Sequence, residues 1–179
     1  TSFKEIAADF QKDYKEDIAL VMIGHRLQEL NKLVTEDCQL TFVTTADDAG
    51  HKAYKRSATL LMLKAMYDVA EMEDVGQIEK IMVDFSVDKG LYCIMKGTVE
   101  LTQGFLDKVS KRMKKLSDEK IPINKKTIPT KDAISLFKKY GMKDKERLFR
   151  YRRVSSVNIY SMSSFEDYFY GYMLPDAGY

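Results

Sequence analysis

The sequence predicts an α+β fold in which short antiparallel strands accompany one long buried helix. Residues 51–70 contain no Gly or Pro and are apolar around most of a helical circumference, which is typical of a buried helix. Residues 81–87 and 91–96 flank a turn sequence and predict a β-hairpin. Other short runs are rich in β-branched residues, as strands are.

The elements before the buried helix are a short helix and three strands. Ser2 and Glu5 form a capping-box pattern ahead of apolar residues at helical spacing. Gly24 and His25 predict a turn between two strands. The predicted positions are a helix at 2–13 and strands at 18–23, 26–30 and 39–44. The polar break at 46–50 predicts a boundary between domains over 1–46 and 47–179.

A second long helix is expected after the hairpin, whose predicted turn is Asp88-Lys89-Gly90. This helix spans residues 102–119 and has two stripes at helical spacing. The apolar stripe contains Phe105, Leu106, Val109, Met113 and Leu116, and the basic stripe contains Lys108, Lys111, Arg112 and Lys115.

The last elements are an edge strand, a helix and two further strands. Pro122 and Pro129 bound the strand at 121–128, and proline favours an edge position because it donates no ladder hydrogen bond. Thr130 is expected to cap the helix, and Gly141 to end it. Strands follow at 154–162 and 165–174, and the period of two places Tyr168, Tyr170 and Tyr172 on one face of the second strand.

Composition restricts the class of protein. In 179 residues, no apolar run approaches the roughly 20 residues that span a bilayer, so a soluble protein without membrane contact is expected. The first residues show no secretory signal pattern, and the chain begins with Thr1 instead of an initiator Met, so we expect a fragment of a longer protein. Cys38 and Cys93 lie far apart and predict buried thiols in a reducing cytoplasm instead of a disulfide framework.

Positive charge is concentrated in the second half of the chain. Residues 1–100 hold 12 Lys and Arg against 18 Asp and Glu, whereas residues 101–179 hold 17 against 9. A basic half can bind phosphates, and Tyr151 could stack on a base. The candidate RNA- or phosphate-binding residues are Lys108, Lys111, Arg112, Lys115, Arg150, Arg152 and Arg153, with Arg147 beside them. The alternative is an ordinary solvated helix next to a strand that begins with arginines.

No catalytic or metal-ligating set is predicted. His25 and His51 fall in separate predicted turns without partners at metal-ligand spacing. Cys93 lies in a strand without a nearby base. The carboxylates that could form acid and base pairs are more simply turn or surface residues. They are Asp84 and Asp88, and Glu71, Glu73 and Asp74.

The order of these elements resembles a tandem known from threonyl-tRNA synthetase, a TGS domain followed by the second additional domain, which edits mischarged tRNA. Residues 1–7 and 40–44 resemble the helix start and last strand of TGS. The resemblance implies a truncated β-grasp, because its first strand pair would lie before Thr1. Residues 55–61 look like the start of the editing helix, and the similarity continues through 85–87, 116–123 and 132–137.

The chain departs from that family at the residues that carry the chemistry. The editing site uses a His-x-x-x-His pair on the long helix, and a Cys and a further His late in the domain. The helix histidines fall at Arg56 and Leu60, and the late segment offers only Ser161, Met162, Ser163 and Ser164. The resemblance therefore implies a degenerate editing domain with no catalytic residue, metal or cofactor.

Residues 150–160 and 168–175 look more like the amino-terminal region of bacterial uridine-kinase-like proteins, in which the same tandem precedes a P-loop nucleoside kinase domain. That resemblance implies ATP and Mg²⁺ in a kinase domain downstream of Tyr179, because this chain has no phosphate-binding loop motif.

The resulting hypothesis is a non-catalytic accessory module of such a kinase, which binds nucleotide or RNA and docks on the kinase domain through its tyrosine face. The alternatives are a tRNA-binding domain and a tRNA-deacylating domain that works through residues such as Arg56 and Ser57.

Overall fold

The computed structural model describes residues 1–88, 90–139 and 142–179, with the side chains of all these residues except 139 and 144. The elements are α1 (Phe3–Phe10), a 3₁₀ turn (Gln11–Asp13), β1 (Ile18–Ile23), β2 (Arg26–Glu29), β3 (Leu40–Thr44), α2 (Asp48–Met72), β4 (Ile78–Val87), β5 (Gly90–Gly97), α3 (Gln103–Asp118), β6 (Ile123–Pro129), α4 (Thr130–Lys139), α5 (Lys143–Tyr151), β7 (Ser156–Met162) and β8 (Phe165–Tyr168).

The predicted α+β fold class is confirmed, with antiparallel pairing in the sheets β2-β1-β3 and β4-β5 and a 25-residue helix. The strands form three sheets, in the orders β2-β1-β3, β4-β5 and β6-β7-β8. The position of β6 at a sheet edge agrees with its flanking prolines. No helix in the described part of the chain is long and apolar enough to cross a membrane.

The chain forms two compact units. Unit 1 comprises Thr1–Leu61, Lys114–Lys125 and Tyr160–Tyr179, and unit 2 comprises Met62–Met113 and Lys126–Ile159. The predicted domain boundary at residue 46 remains a prediction.

Unit 1 is built around β1, whose continuous apolar run is buried on both sides. α1 starts at the predicted capping box, in which the Ser2 hydroxyl accepts from the amide of Glu5 and the Glu5 carboxylate accepts from the amide of Ser2. One core cluster contains Phe3, Ala7, Ile18, Val21 and Leu30. A second cluster contains Ala19, Leu20, Val43, Ala53 and Leu174.

α2 begins three residues earlier than predicted, at Asp48, and therefore includes Gly50. His51 is helical, as the predicted helix at 51–70 has it, and its placement in a turn is wrong. A Cβ atom on Gly50 would lie 1.9 Å from the carbonyl oxygen of Thr44. The close approach of helix and strand therefore requires glycine at this position.

Unit 2 contains the β4–β5 hairpin, with a register irregularity between Val83 and Phe85. Its tip is exposed, and the rings of Phe85 and Tyr92 stack at 5.0 Å. Lys89 of the predicted turn lies outside the described residues. On α3, Leu106 is 44% exposed although it shares the predicted apolar stripe.

The end of the chain differs from expectation in two places. Residues 143–151, for which no element was predicted, form the helix α5. The last strand ends at Tyr168, because the chain turns at Gly171, which has φ +119°. Tyr168, Tyr170 and Tyr172 therefore do not share the face of one strand.

The start of α4 also differs from expectation. The Thr130 hydroxyl donates to the carbonyl oxygen of Val154, and Thr130 is itself the first helical residue. The predicted helix stop at Gly141 lies outside the described residues.

Candidate functional site

The candidate site lies in unit 1, where α2 carries the two positions at which the resemblance places editing histidines. Leu60 is fully buried in a cluster with Ile123, Tyr160 and Met173. A leucine in that core contributes packing and has no atom that binds a metal or accepts a proton. This histidine position has therefore become part of the core.

Arg56, one turn before Leu60, is half-buried and contacts the segment after β8. Its Nη1 atom donates to the carbonyl oxygen of Tyr172 at 3.3 Å. The guanidinium packs on Gly171, where an added Cβ atom would lie 2.6 Å from Cζ of Arg56. Gly171 thus serves two purposes, since it takes the positive φ and leaves room for the arginine.

Ser57 is buried and fastens the same segment to α2. Its hydroxyl donates to the carbonyl oxygen of Ala53 at 2.9 Å and accepts from the amide of Leu174 at 2.9 Å. Its hydrogen and one lone pair are thereby used. Ser57 therefore acts as a structural link between α2 and the 171–174 segment.

Glu29, at the end of β2, is a buried carboxylate that several donors share. Oε1 lies 2.6 Å from the hydroxyl of Tyr160 and accepts from the amide of Met173 at 3.0 Å. Oε2 accepts from Nζ of Lys125 at 3.0 Å, and this ammonium lies 5.4 Å from the centre of the Tyr160 ring. The single phenolic hydrogen of Tyr160 faces a second acceptor, the carbonyl oxygen of Gly171, at 2.7 Å.

This environment keeps the Tyr160 hydroxyl protonated. Burial raises its pKa far above the ordinary value of 10, and the hydrogen bond to Glu29 and the negative charge of Glu29 add to the increase. The positive charge of Arg56 acts in the opposite direction. Tyr160, Lys125 and Arg56 are therefore hydrogen-bond donors, and none is a base that could activate water.

The structure also identifies the late segment that approaches α2. Residues 171–174 make the contacts to Arg56, Ser57 and Glu29, whereas the sequence reading took residues 161–164 as that segment. Neither stretch contains Cys or His. The sequence analysis did not identify Glu29, Lys125 and Tyr160 as site residues. Lys125 and Tyr160 lie 96 and 131 residues from Glu29 in the chain, so no local pattern connects them.

A groove of about 650 Å³ also lies in unit 1. Its lining mixes apolar side chains with both signs of charge and includes Phe3, Ile23, Arg26, Lys32, Leu33 and Glu36. This groove could not be predicted from the sequence, because the loop between β2 and β3 has no motif.

The basic stripe of α3 is largely paired with carboxylates. Lys108 forms an ion pair with Glu73, and Arg112 pairs with Asp68 at 2.6 Å. Lys115 lies 3.9 Å from Glu119. Lys111 is exposed. These ion pairs offset part of the positive charge of the stripe, and phosphate binding by this helix remains a prediction.

The later basic residues lie on and after α5, in unit 2. Arg150 pairs with Glu146 one turn earlier, and the guanidinium of Arg152 lies 5.7 Å from the centre of the Phe149 ring. Arg153 is exposed. This group, unlike the α3 stripe, retains a surface rich in cations.

The remaining candidates are the thiols and the carboxylates. No group of three or more His, Cys, Asp or Glu side chains within the described ranges could hold a metal ion. Cys38 and Cys93 are free thiols, and burial raises the pKa of Cys93. Asp74 and Asp88 occupy positive-φ positions in turns, as expected of turn residues.

Comparison with known proteins finds similarity to threonine–tRNA ligases. The chain is 27% identical over 175 residues to that of Verminephrobacter eiseniae, 25% over 179 residues to that of Halalkalibacterium halodurans and 28% over 167 residues to that of Thermotoga petrophila. These alignments cover 97, 99 and 92% of this chain but only 26, 27 and 25% of the relatives. The chain thus spans about a quarter of the length of the relatives it matches. No protein-family model matches it.

The similarity supports a tRNA-synthetase-related domain, so the resemblance to threonyl-tRNA synthetase is confirmed at that level. The TGS domain and the uridine-kinase-like parent remain predictions.

Proposed function

We propose that this chain is a tRNA-synthetase-related module that binds the acceptor end of a tRNA and does not hydrolyse its aminoacyl ester. The observation that carries the proposal is the Arg56 guanidinium, which occupies an expected histidine position and contacts the 171–172 backbone. Similarity to threonine–tRNA ligases over nearly the whole chain supports an RNA of the tRNA class as the ligand.

The chemistry of the site argues against ester hydrolysis. Activation of water requires a neutral imidazole, a thiolate, a carboxylate with access to solvent, or a metal. Arg56 is permanently protonated, and Tyr160 retains its proton because its pKa is raised. The Glu29 carboxylate is buried and already accepts from Met173 and Lys125. These groups orient and bind but do not remove a proton from water.

The same groups suit the binding of a hydrogen-bond acceptor. A guanidinium carries five N–H donors. Among the described residues, the Tyr172 carbonyl oxygen is its hydrogen-bond acceptor, so donors remain for a ligand carbonyl or phosphate oxygen. Arginine binds phosphate through paired donors and keeps its charge at any physiological pH.

The test uses a threonine tRNA that carries a wrong, radiolabelled amino acid. We expect the 179-residue chain to retain this tRNA on a filter while the ester decays at the rate seen in buffer. Arg56→Ala should weaken binding about tenfold, because it removes about one charge-assisted hydrogen bond to the tRNA. Lys55→Ala, which removes an exposed charge from the neighbouring position of α2, is the matched control and should change binding by less than about twofold.

Accelerated ester loss that disappears in Arg56→Ala would overturn the proposal and favour the deacylating alternative. Equal weakening by Arg56→Ala and Lys55→Ala would show that Arg56 has no specific part in binding.

A second proposal is that the chain is an accessory module of a nucleoside kinase domain, which would itself bind ATP and Mg²⁺. It is favoured by residues 150–160 and 168–175, which look more like those of uridine-kinase-like proteins than like those of a synthetase. A phosphate-loop motif in the reading frame soon after Tyr179 is the expected observation. Kinase activity that is identical with and without residues 1–179 would contradict a regulatory role.

A further inference from the structure

The strongest concentration of positive charge in the chain lies in one segment of unit 2. Residues 126–159 contain 10 Lys and Arg and 3 Asp and Glu, a net charge of +7, whereas the whole chain carries +2. The segment comprises α4, α5 and the strand residues on either side of them. Positive charge at this density produces a local field that attracts polyanions.

The orientation of α5 is fixed by its packing. Phe149 is buried, and its ring stacks on that of Phe137 in α4 with the centroids 5.4 Å apart. Lys143, Arg147 and Tyr151 follow one another at intervals of four residues and form a single stripe on the helix. All three are exposed, and Tyr151 reaches 80% exposure. The stripe therefore points into solvent.

This exposed stripe has features that folding alone does not explain. Like charges four residues apart on a helix repel, so Lys143 and Arg147 cost a few tenths of a kcal/mol. An aromatic ring left largely in water forgoes the stabilisation that burial would give it. Local rules broken without a structural gain are expected at binding sites.

We propose that the exposed stripe of α5 binds a single-stranded segment of RNA. Lys143 and Arg147 would neutralise backbone phosphates, and the Tyr151 ring would stack on an unpaired base. Exposed Arg153, two residues beyond the helix, extends the same basic surface. The inference rests on the proposed function, because it adds an RNA-binding surface in unit 2 to the Arg56 site of unit 1.

An anionic membrane surface is the other polyanion to consider. Peripheral membrane helices insert a continuous apolar face. The apolar side chain at the centre of α5, Phe149, is instead buried against Phe137, and Leu148 and Tyr151 alone are exposed large hydrophobic residues on this helix. The stripe is also too short for such insertion, since α5 has 9 residues. RNA is therefore the better match.

The test measures fluorescence anisotropy of a fluorescein-labelled single-stranded RNA of about twelve nucleotides, within the size range of known single-strand sites. The full 179-residue chain is titrated at several KCl concentrations. Arg147→Glu should weaken binding about tenfold and make the salt dependence shallower by about one phosphate contact. Tyr151→Ala should weaken binding about tenfold and leave the salt dependence unchanged. Lys52→Glu, an equal charge change at an exposed position of unit 1, should stay within about twofold.

Equal losses in Arg147→Glu and Lys52→Glu would overturn the proposal, because they would indicate a general charge effect. Unchanged affinity in Tyr151→Ala would remove the stacking contact and with it the single-strand assignment. Binding to phosphatidylserine vesicles but not to the RNA would assign the surface to membranes and overturn the proposal as well.

A chain that retains aminoacylated tRNA but not the labelled RNA would overturn this inference and leave the proposed function standing. Far-UV circular dichroism of each variant must match that of the unmodified chain.

Discussion

Glu29→Ala should destabilise unit 1 strongly, because this carboxylate is the common acceptor for three groups from distant parts of the chain. The substitution removes the acceptor of the Met173 amide and the ionic partner of Lys125. The Tyr160 hydroxyl keeps its second acceptor, the carbonyl oxygen of Gly171. The loss is therefore dominated by the amide and the ammonium.

The expected magnitude follows from these contacts. A buried amide left without a partner costs about 1–3 kcal/mol. Lys125 is 28% exposed at its side chain, so water recovers part of its lost pairing and its share is about 1 kcal/mol. With the space left by the side chain, the free energy of unfolding should fall by about 3–5 kcal/mol. Glu29→Gln keeps an amide oxygen as acceptor and should cost about 1–2 kcal/mol.

The assay is urea unfolding followed by circular dichroism at a helical wavelength, since the chain has no Trp. Asp37→Ala is the control, because Asp37 is an exposed loop carboxylate and its loss should change the unfolding free energy by less than about 0.5 kcal/mol. A Glu29→Ala variant as stable as Asp37→Ala would refute the reasoning. Equal destabilisation by Gln and Ala would show that charge, and not the shared hydrogen bonds, gives Glu29 its importance.

Three further predictions follow from other contacts. The pKa of Tyr160 in the folded protein is raised above the unfolded value of 10, so its contribution to stability is complete below pH 10 and is lost as the pH rises further. In Tyr160→Phe, the unfolding free energy from urea titrations should therefore fall less steeply above pH 10. The same fall as in the unmodified chain would contradict this prediction. Asp68→Ala leaves Lys64 and Arg112 without their shared carboxylate and should lower the unfolding free energy, measured with urea, by about 2–4 kcal/mol. A loss near zero would show that both ion pairs are solvated. Ser2→Ala removes the capping box and should cost about 1 kcal/mol in thermal unfolding; an unchanged melting temperature would contradict this.

Local chemistry made much of the fold readable from the sequence. The capping box at Ser2, the continuous apolar run of β1 and the hairpin β4–β5 depend on residues close in the chain, and the structure has all three. The helix α5 was not predicted, because its sequence is mostly charged and has few apolar residues at helical spacing. Phe149 is buried there by packing on Phe137, which lies in another helix. The last strand was extended too far, because aromatic β-propensity does not reveal the turn at Gly171.

The sequence alone determined which chemistry is missing, since identity at Arg56 and Leu60 excludes imidazole there whatever the fold. Only the tertiary structure decided what replaced it. Arg56 supports the backbone at Tyr172, Leu60 fills the core, and Glu29 collects donors from segments that lie far apart in the chain. The physical reason is that burial and hydrogen-bond partnership depend on distances between chain segments, and those distances are set by packing of the whole unit rather than by neighbouring residues.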